Sequence, residues 1–191
     1  MAALTFFSCL SKVQAQAEQG YIECGFGETG LHYGACSWLE LAAGQEPGQY
    51  AVTAPGGENG RQVHVCRDLK GVPGKRVGAH CYIPRYGKEY SHDRYQVLTA
   101  RPGTLRWQVI GSRANRGLTL PGKLLVKSIT DGSYNAYICA VADARGNVIT
   151  GKYVGSYCWY SYGGDEYAAD PGNDKDNRQV YLLWYQPPPW L

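Results

Sequence analysis

Apolar positions in this chain come in short runs that either alternate with polar neighbours or are apolar throughout. VHVC (63–66), QVL (96–98), YIC (137–139) and VYLLWY (180–185) are bounded by breaker clusters such as PGGENG (55–60) and DPGNDKDN (170–177). Alternation at period two sets one face of a segment on a core and the other in water. Gly, Pro, Asn and Asp between such runs supply the turns. The pattern therefore predicts antiparallel strands and hairpins throughout.

The runs fall in a repeating order. Trp38 precedes Pro47-Gly48, the strand-like VHVC, the PGK of 73–75, Cys81-Tyr82, YGKEY (86–90) and YQVL (95–98). Trp107 precedes Pro121-Gly122, AYIC (136–139), the TGK of 150–152, Cys158-Trp159, YGGDEY (162–167) and VYLLWY. Matched landmarks lie 69 to 77 positions apart, so two units share one plan and differ in their loops. Each unit is too small to cover its own apolar face, and the two are expected to share a core. The fold expected is all-β: two tandem antiparallel β repeats, residues 38–100 and 107–185, packed with pseudo-two-fold symmetry around that core. Residues 18–37, rich in Gly and Cys, are either a fragment of a third unit or a strand completing the first. Residues 186–191, QPPPWL, form a proline-rich tail.

The amino terminus and the cysteines bear on compartment. An apolar stretch over 2–10 and the small residues of Ala15-Gln16-Ala17 fit a cleaved secretory leader over residues 1–17, although no basic residue precedes the apolar run. Of seven cysteines, Cys9 lies in that leader. An even set remains: Cys24, Cys36, Cys66, Cys81, Cys139 and Cys158. Six cysteines admit 15 pairings. Equivalent landmarks suggest Cys66 with Cys81 and Cys139 with Cys158, leaving Cys24 with Cys36. No later apolar stretch is long enough for a transmembrane helix.

Composition narrows the function classes. Charged residues make up 18% of the chain, with 16 Tyr against three Phe and one Met, which suits pleated surfaces rather than helical bundles. The net charge of +3 is too slight to drive nucleic-acid binding.

With the Trp, the apolar-Cys-Arg strand, the PGK turn and the YGKEY…YQVL ending in order, residues 38–185 resemble the DM-nine repeat family, whose units also form the amino-terminal half of natterin-like proteins. The most specific stretch is AVTAPGGENGRQVHVCRDLKGVPGKRVGAHCYIPRYGKEYSHDRYQVL (51–98). The resemblance implies a compact β protein that binds mannose-type glycans, is secreted and acts in pathogen recognition. It implies sugar contacts from an acidic residue before the apolar-Cys strand and from the lysine of the PGK turn. The lysines are Lys75 and Lys152. The acidic positions are Glu58, next to the aligned Gly57, and Asp131. Arg67 follows the first strand, where the second repeat has Ala140.

The residue chemistry runs parallel. Sugar hydroxyls both donate and accept, so a site combines a carboxylate, a cationic donor and an aromatic face. The sets are Lys75, Glu58 and Glu89 with Tyr86 or Tyr90, and Lys152, Asp131 and Glu166 with Tyr162 or Tyr167. The plain alternative makes the lysines exposed turn residues. Other chemistries fail on spacing. Gly146 to Lys152 reads GxxxxGK, but Tyr153 stands where a phosphate loop needs Ser or Thr. His64, Cys66, His80 and Cys81 lack the CxxC spacing of zinc sites. Glu89 and Asp93 set no glycosidase separation. Trp38 and Trp107 read as core anchors. The expectation is a non-catalytic protein without a cofactor whose partners are glycans and, as a homodimer, a second copy of the chain; the rival is a structural or toxin-associated secreted scaffold.

Overall fold

The computed structural model describes residues 21–26, 36–110, 124–131, 134–173 and 178–186, and every regular element in them is a β-strand. The leader expected over 1–17, Pro121-Gly122 and residues 187–191 of the tail lie outside the described residues. Two short strands come first, β1 (Tyr21–Glu23) and β2 (Gly25–Phe26). The first repeat supplies β3 (Cys36–Ala42), β4 (Thr53–Glu58), β5 (Arg61–Arg67), β6 (Pro73–Val77), β7 (His80–Arg85), β8 (Lys88–His92) and β9 (Arg94–Ala100). The second supplies β10 (Leu105–Ile110), β11 (Leu124–Asp131), β12 (Tyr134–Ala142), β13 (Val148–Val154), β14 (Tyr157–Tyr162), β15 (Asp165–Ala169) and β16 (Gln179–Tyr185).

The strands form one continuous sheet in which the repeats use matching pairings. In the first, β4 pairs β5, the run β5-β6-β7-β8 is a meander, and β9 lies between β3 and β5. In the second, β11 pairs β12, β12-β13-β14-β15 is the meander, and β16 pairs both β10 and β12. The two meanders meet edge to edge, β8 against β15, at the register Asp165↔Lys88. Two pairings depart from the antiparallel expectation. β1 runs parallel to β11, and β2 parallel to β3. Residues 21–26 thus extend an edge in each repeat instead of forming a third unit, because a segment that enters along an existing edge strand need not reverse direction as a hairpin does.

The sheet folds back so that β13 packs on β4, β5 and β6, while β14 packs on β7. One core cluster joins Trp38, Val65 and Leu98 to Val126, Ile138 and Leu183, and another joins Ala54 and Val63 to Ala140 and Val148. Apolar side chains from both repeats therefore leave water together. Polar links cross the same boundary: Thr150 Oγ1 donates to the Gly74 carbonyl at 2.8 Å, and Asn59 N donates to Asn147 Oδ1 at 2.9 Å. Trp38 is buried at 1% exposure, while Trp107 is only partly buried and donates its Nε1 to the Thr53 carbonyl at 2.7 Å.

Three disulfides close the set suggested by the landmarks: Cys24–Cys36, Cys66–Cys81 and Cys139–Cys158. The last two each tie the first strand of a meander to its third strand. Between them the intervening strand needs a glycine. A Cβ on Gly74 would sit 2.1 Å from the Tyr82 carbonyl oxygen, and one on Gly151 the same distance from that of Trp159. This close approach explains the glycine of PGK and TGK.

Candidate functional site

The lysine after each of these glycines lies inside a strand and not in a turn, so neither is the exposed turn residue of the plain alternative. Lys75 pairs with Val65 and Tyr82 in register, and Lys152 with Ile138 and Trp159. Strand side chains stand out of the sheet plane, and the folded-back sheet brings β13 onto β6 over these lysines, so Lys75 is 3% exposed and Lys152 9%. A buried ammonium needs carboxylate partners, since desolvation otherwise costs several kcal/mol, on the order of the effective penalty per buried ion.

Lys75 has two such partners. Its Nζ donates to Glu58 Oε1 at 2.8 Å and stands 3.2 Å from Glu89 Oε1. The second contact is an ion pair without hydrogen-bond alignment, so Glu89 Oε1 and Glu58 Oε2 are both buried with no hydrogen-bond partner. Two rings complete the cluster, Tyr82 at 5.7 Å and Tyr162 at 5.3 Å from Nζ. Lys152 lies 3.5 Å from Glu166 Oε1. Asp131 falls in the β11–β12 hairpin opposite Tyr134, as Glu58 falls in the β4–β5 hairpin opposite Arg61. The side chain of Asp131 lies outside the described residues.

The glutamates also join the repeats. Glu89 Oε2 accepts from Gly164 N at 2.9 Å, and Glu166 Oε2 accepts from Gly87 N at 2.7 Å. The backbones repeat the exchange: Glu89 N donates to the Gly164 carbonyl at 2.9 Å and Glu166 N to the Gly87 carbonyl at 3.3 Å. Each carboxylate thus faces its own lysine with one oxygen and the turn of the other repeat with the second. Both candidate sites sit on the seam between β8 and β15.

The aromatic members differ from those read in the sequence. Tyr86 is 79% exposed at the β7–β8 turn under the Arg85 guanidinium, and Tyr90 is 43% exposed. The cause is strand parity: on β8 Glu89 faces the lysine, so Tyr90 faces away. Tyr167 stacks on Tyr160, centroids 5.7 Å apart, for the same reason. Tyr162, assigned by sequence to the Lys152 set, lies against Lys75 across the seam. Tyr82, which the sequence offers only within the Cys81-Tyr82 landmark, pairs with Lys75 in register. Its conjunction with Cys81, matched by Cys158-Trp159, was the available signal.

Arg67 is structural in this geometry. Its guanidinium lies 4.0 Å over the Trp38 ring, its Nε donates to Gln96 Oε1 at 2.7 Å and its Nη1 to the Ser128 carbonyl at 3.1 Å. Burial draws its pKa down to about 10, which leaves it charged at neutral pH. Nearby, buried His64 has an Nδ1 with no partner, and desolvation together with the Arg76 charge lowers its pKa. Cys66 and Cys81 are consumed as a disulfide, and His80 Nδ1 contacts Asp93 Oδ1 at 2.8 Å.

No protein-family model matches the chain, and no curated protein matches it. Among solved structures, the chain is similar to the nematode sperm cell motility protein MFP2B, with a TM-score of 0.56 and 14% identity over 82% of this chain and 46% of that one. The chain thus spans under half the length of that protein. With so low an identity, the likeness shows the fold alone.

Proposed function

We propose that this protein is a secreted, non-catalytic lectin that binds mannose-type glycans at the seam between its two repeats. The observation that carries the reading is the Lys75 cluster. It combines an ammonium, two carboxylates with unsatisfied oxygens and two tyrosine rings, which are the donor, the acceptors and the apolar faces a pyranose requires. The side chains of Glu58 and Glu89 retain 10% and 12% exposure, but their unsatisfied oxygens are buried, so a hydroxyl reaches them only by entering the cluster. The DM-nine resemblance supports the same lysine and the same acidic position. Three disulfides support an oxidising compartment, and no helix among the described residues is long and apolar enough to cross a membrane.

A second reading has its own observation. Lys75 is 3% exposed and already ion-paired, as a purely architectural charge at a repeat seam would be. The likeness to a motility protein accords with a scaffold whose sugar pocket is vestigial. A glycan array followed by calorimetric titration with a mannose oligosaccharide separates the readings. The lectin reading expects binding that Glu58→Gln weakens about tenfold, the effect of losing a charged hydrogen bond, with the fold intact by circular dichroism. Absence of binding to any mannose-type glycan supports the scaffold.

A further inference from the structure

The β7–β8 hairpin has two faces, and the lectin reading uses one. On the other, Ile83, Arg85, Tyr90 and His92 open onto a groove of about 490 Å³, within the range of about 300–1,000 Å³ usual for ligand sites. Lys70 and Arg94 line its rim with Leu69 and Tyr86. We propose that this groove is a second, separate carbohydrate site, one that takes anionic glycans: a pyranose bearing sulfate or carboxylate stacks on Tyr90 while its anion meets Arg85 and Lys70.

Charge is the first argument. Arg94 is paired with Glu40 at 2.6 Å, whereas no carboxylate among the described residues pairs with Lys70 or Arg85. Asp68, the acidic member of the lining, spends Oδ1 on the backbone N–H groups of Lys70 and Val72 at 2.9 and 2.8 Å. The groove therefore presents cations in excess beside the exposed Tyr90 ring.

The second repeat supplies the control. There Tyr160 stands opposite Tyr167 in the register that Ile83 and Tyr90 hold in the first. The two tyrosines stack, Tyr160 is 4% exposed, and the Arg178 guanidinium lies 6.0 Å from its ring. A ring on a tyrosine with a cation beside it is thus built into one repeat. In the other the stacking ring is replaced by the smaller Ile83, so that Tyr90, 43% exposed where its counterpart Tyr167 is 39%, has no aromatic neighbour across the strand pair.

Backbone strain is the third argument. Tyr86 has a φ of 52°, a conformation that bulky residues rarely adopt, at the turn position where the second repeat has Gly163. The turn needs a left-handed residue, and a glycine would satisfy it. The strained tyrosine, 79% exposed at the groove's lip, lies under the Arg85 guanidinium at 4.9 Å and so holds that cation at the groove.

The test uses the full chain with its disulfides and, as probe, a sulfated, uronate-containing tetrasaccharide, with its desulfated, carboxyl-reduced form as the neutral control. Titration should show binding of the charged probe and not of the neutral one. Arg85→Ala and Tyr90→Ala should each weaken it about tenfold, while Arg61→Ala, which removes the same charge outside the groove, leaves it unchanged. Tyr86→Gly should weaken binding without lowering the melting temperature. The proposal is overturned if the wild-type chain does not bind the probe. It is equally overturned if Tyr90→Ala has no effect, if Arg61→Ala matches Arg85→Ala, or if polyglutamate or a nucleoside triphosphate competes as well as the sugar. Mannose binding, being a property of the opposite face, stands or falls separately.

Discussion

Lys75 and Lys152 occupy matching positions on matching strands, yet their surroundings have diverged. Each follows a glycine pressed against the next strand's carbonyl, and each faces a glutamate whose other oxygen holds the opposite repeat's turn. Around Lys75 the carboxylate distances are 2.8 and 3.2 Å and two tyrosines close in; Lys152 has its glutamate at 3.5 Å. Part of the difference lies on the far side of the seam. Tyr162, from the second repeat, reaches Lys75, while the matching position in the first is Arg85, a cation that does not suit a lysine's surroundings. The matching strands thus share the skeleton of a site more closely than its lining, because each lining borrows from the other half.

The strongest way to break this comparison is to separate the copies. Residues 38–100 alone would expose Trp38, Ala54, Val63 and Val65, which pack on second-repeat residues, and would lose the bond that Gly74 accepts from Thr150 and the one that Asn59 donates to Asn147. The fragment should show no cooperative thermal transition, or should dimerise, whereas the intact chain should unfold in one step by calorimetry. A stable monomeric fragment with its own sharp transition would refute the shared core.

Next in size is the lysine itself. Lys75→Ala leaves Glu58 and Glu89 facing each other in a buried space, which should cost on the order of 3–5 kcal/mol of stability in denaturant titration. Lys152→Ala, with the looser contact to Glu166, should cost less. Equal losses would show that the tighter geometry around Lys75 has no energetic counterpart. Because Lys75→Ala threatens the fold, the sugar test above rests on Glu58→Gln.

The disulfides should behave alike where the lysine sites do not. Cys66–Cys81 and Cys139–Cys158 close loops of 15 and 19 residues. Removing either by paired Ala substitution should cost about 3 kcal/mol, since loop-closure entropy varies slowly with length. Alkylation of the unreduced chain should label none of the six paired cysteines. A loss confined to one bridge would mean that the copies differ in rigidity as well as in lining.

How much of this was written in the sequence depends on whether a feature is local to one strand. The paired cysteines, the glycine-lysine step and Glu89 with Glu166 recur at fixed landmarks, and the structure brings each lysine to its own glutamate. The tyrosines were misassigned because Tyr86 and Tyr90 are near Glu89 in the chain but opposite to it in parity, and parity flips every side chain with a one-residue step. Tyr162 and the β8–β15 seam were not legible for another reason. The seam joins Gly87 with Glu166 and Gly164 with Glu89, and in each pair the turn contributes only backbone atoms, which carry no residue signature. The alternative of a strand completing the first repeat holds for β2, but its parallel sense and the place of β1 on the second repeat are not legible, since edge addition is set by what surface is left uncovered.

The smallest expected effect concerns pH, and it too divides the copies. His64 on β5 corresponds to Tyr137 on β12, so one repeat carries a titrating group near neutrality where the other carries a phenol. Burial and the neighbouring Arg76 charge lower the His64 pKa, with a weaker opposing pull from Glu46, and Nδ1 has no partner. The unfolded chain therefore binds a proton near pH 6.5 that the folded chain takes up only at lower pH. Stability from the neutral imidazole is complete above that range and declines as pH falls through it. Melting temperature measured from pH 7.5 down to 5 should fall for the wild-type chain, and His64→Gln should flatten the decline. An unchanged slope in His64→Gln would assign the acid sensitivity to other groups and remove this difference between the repeats.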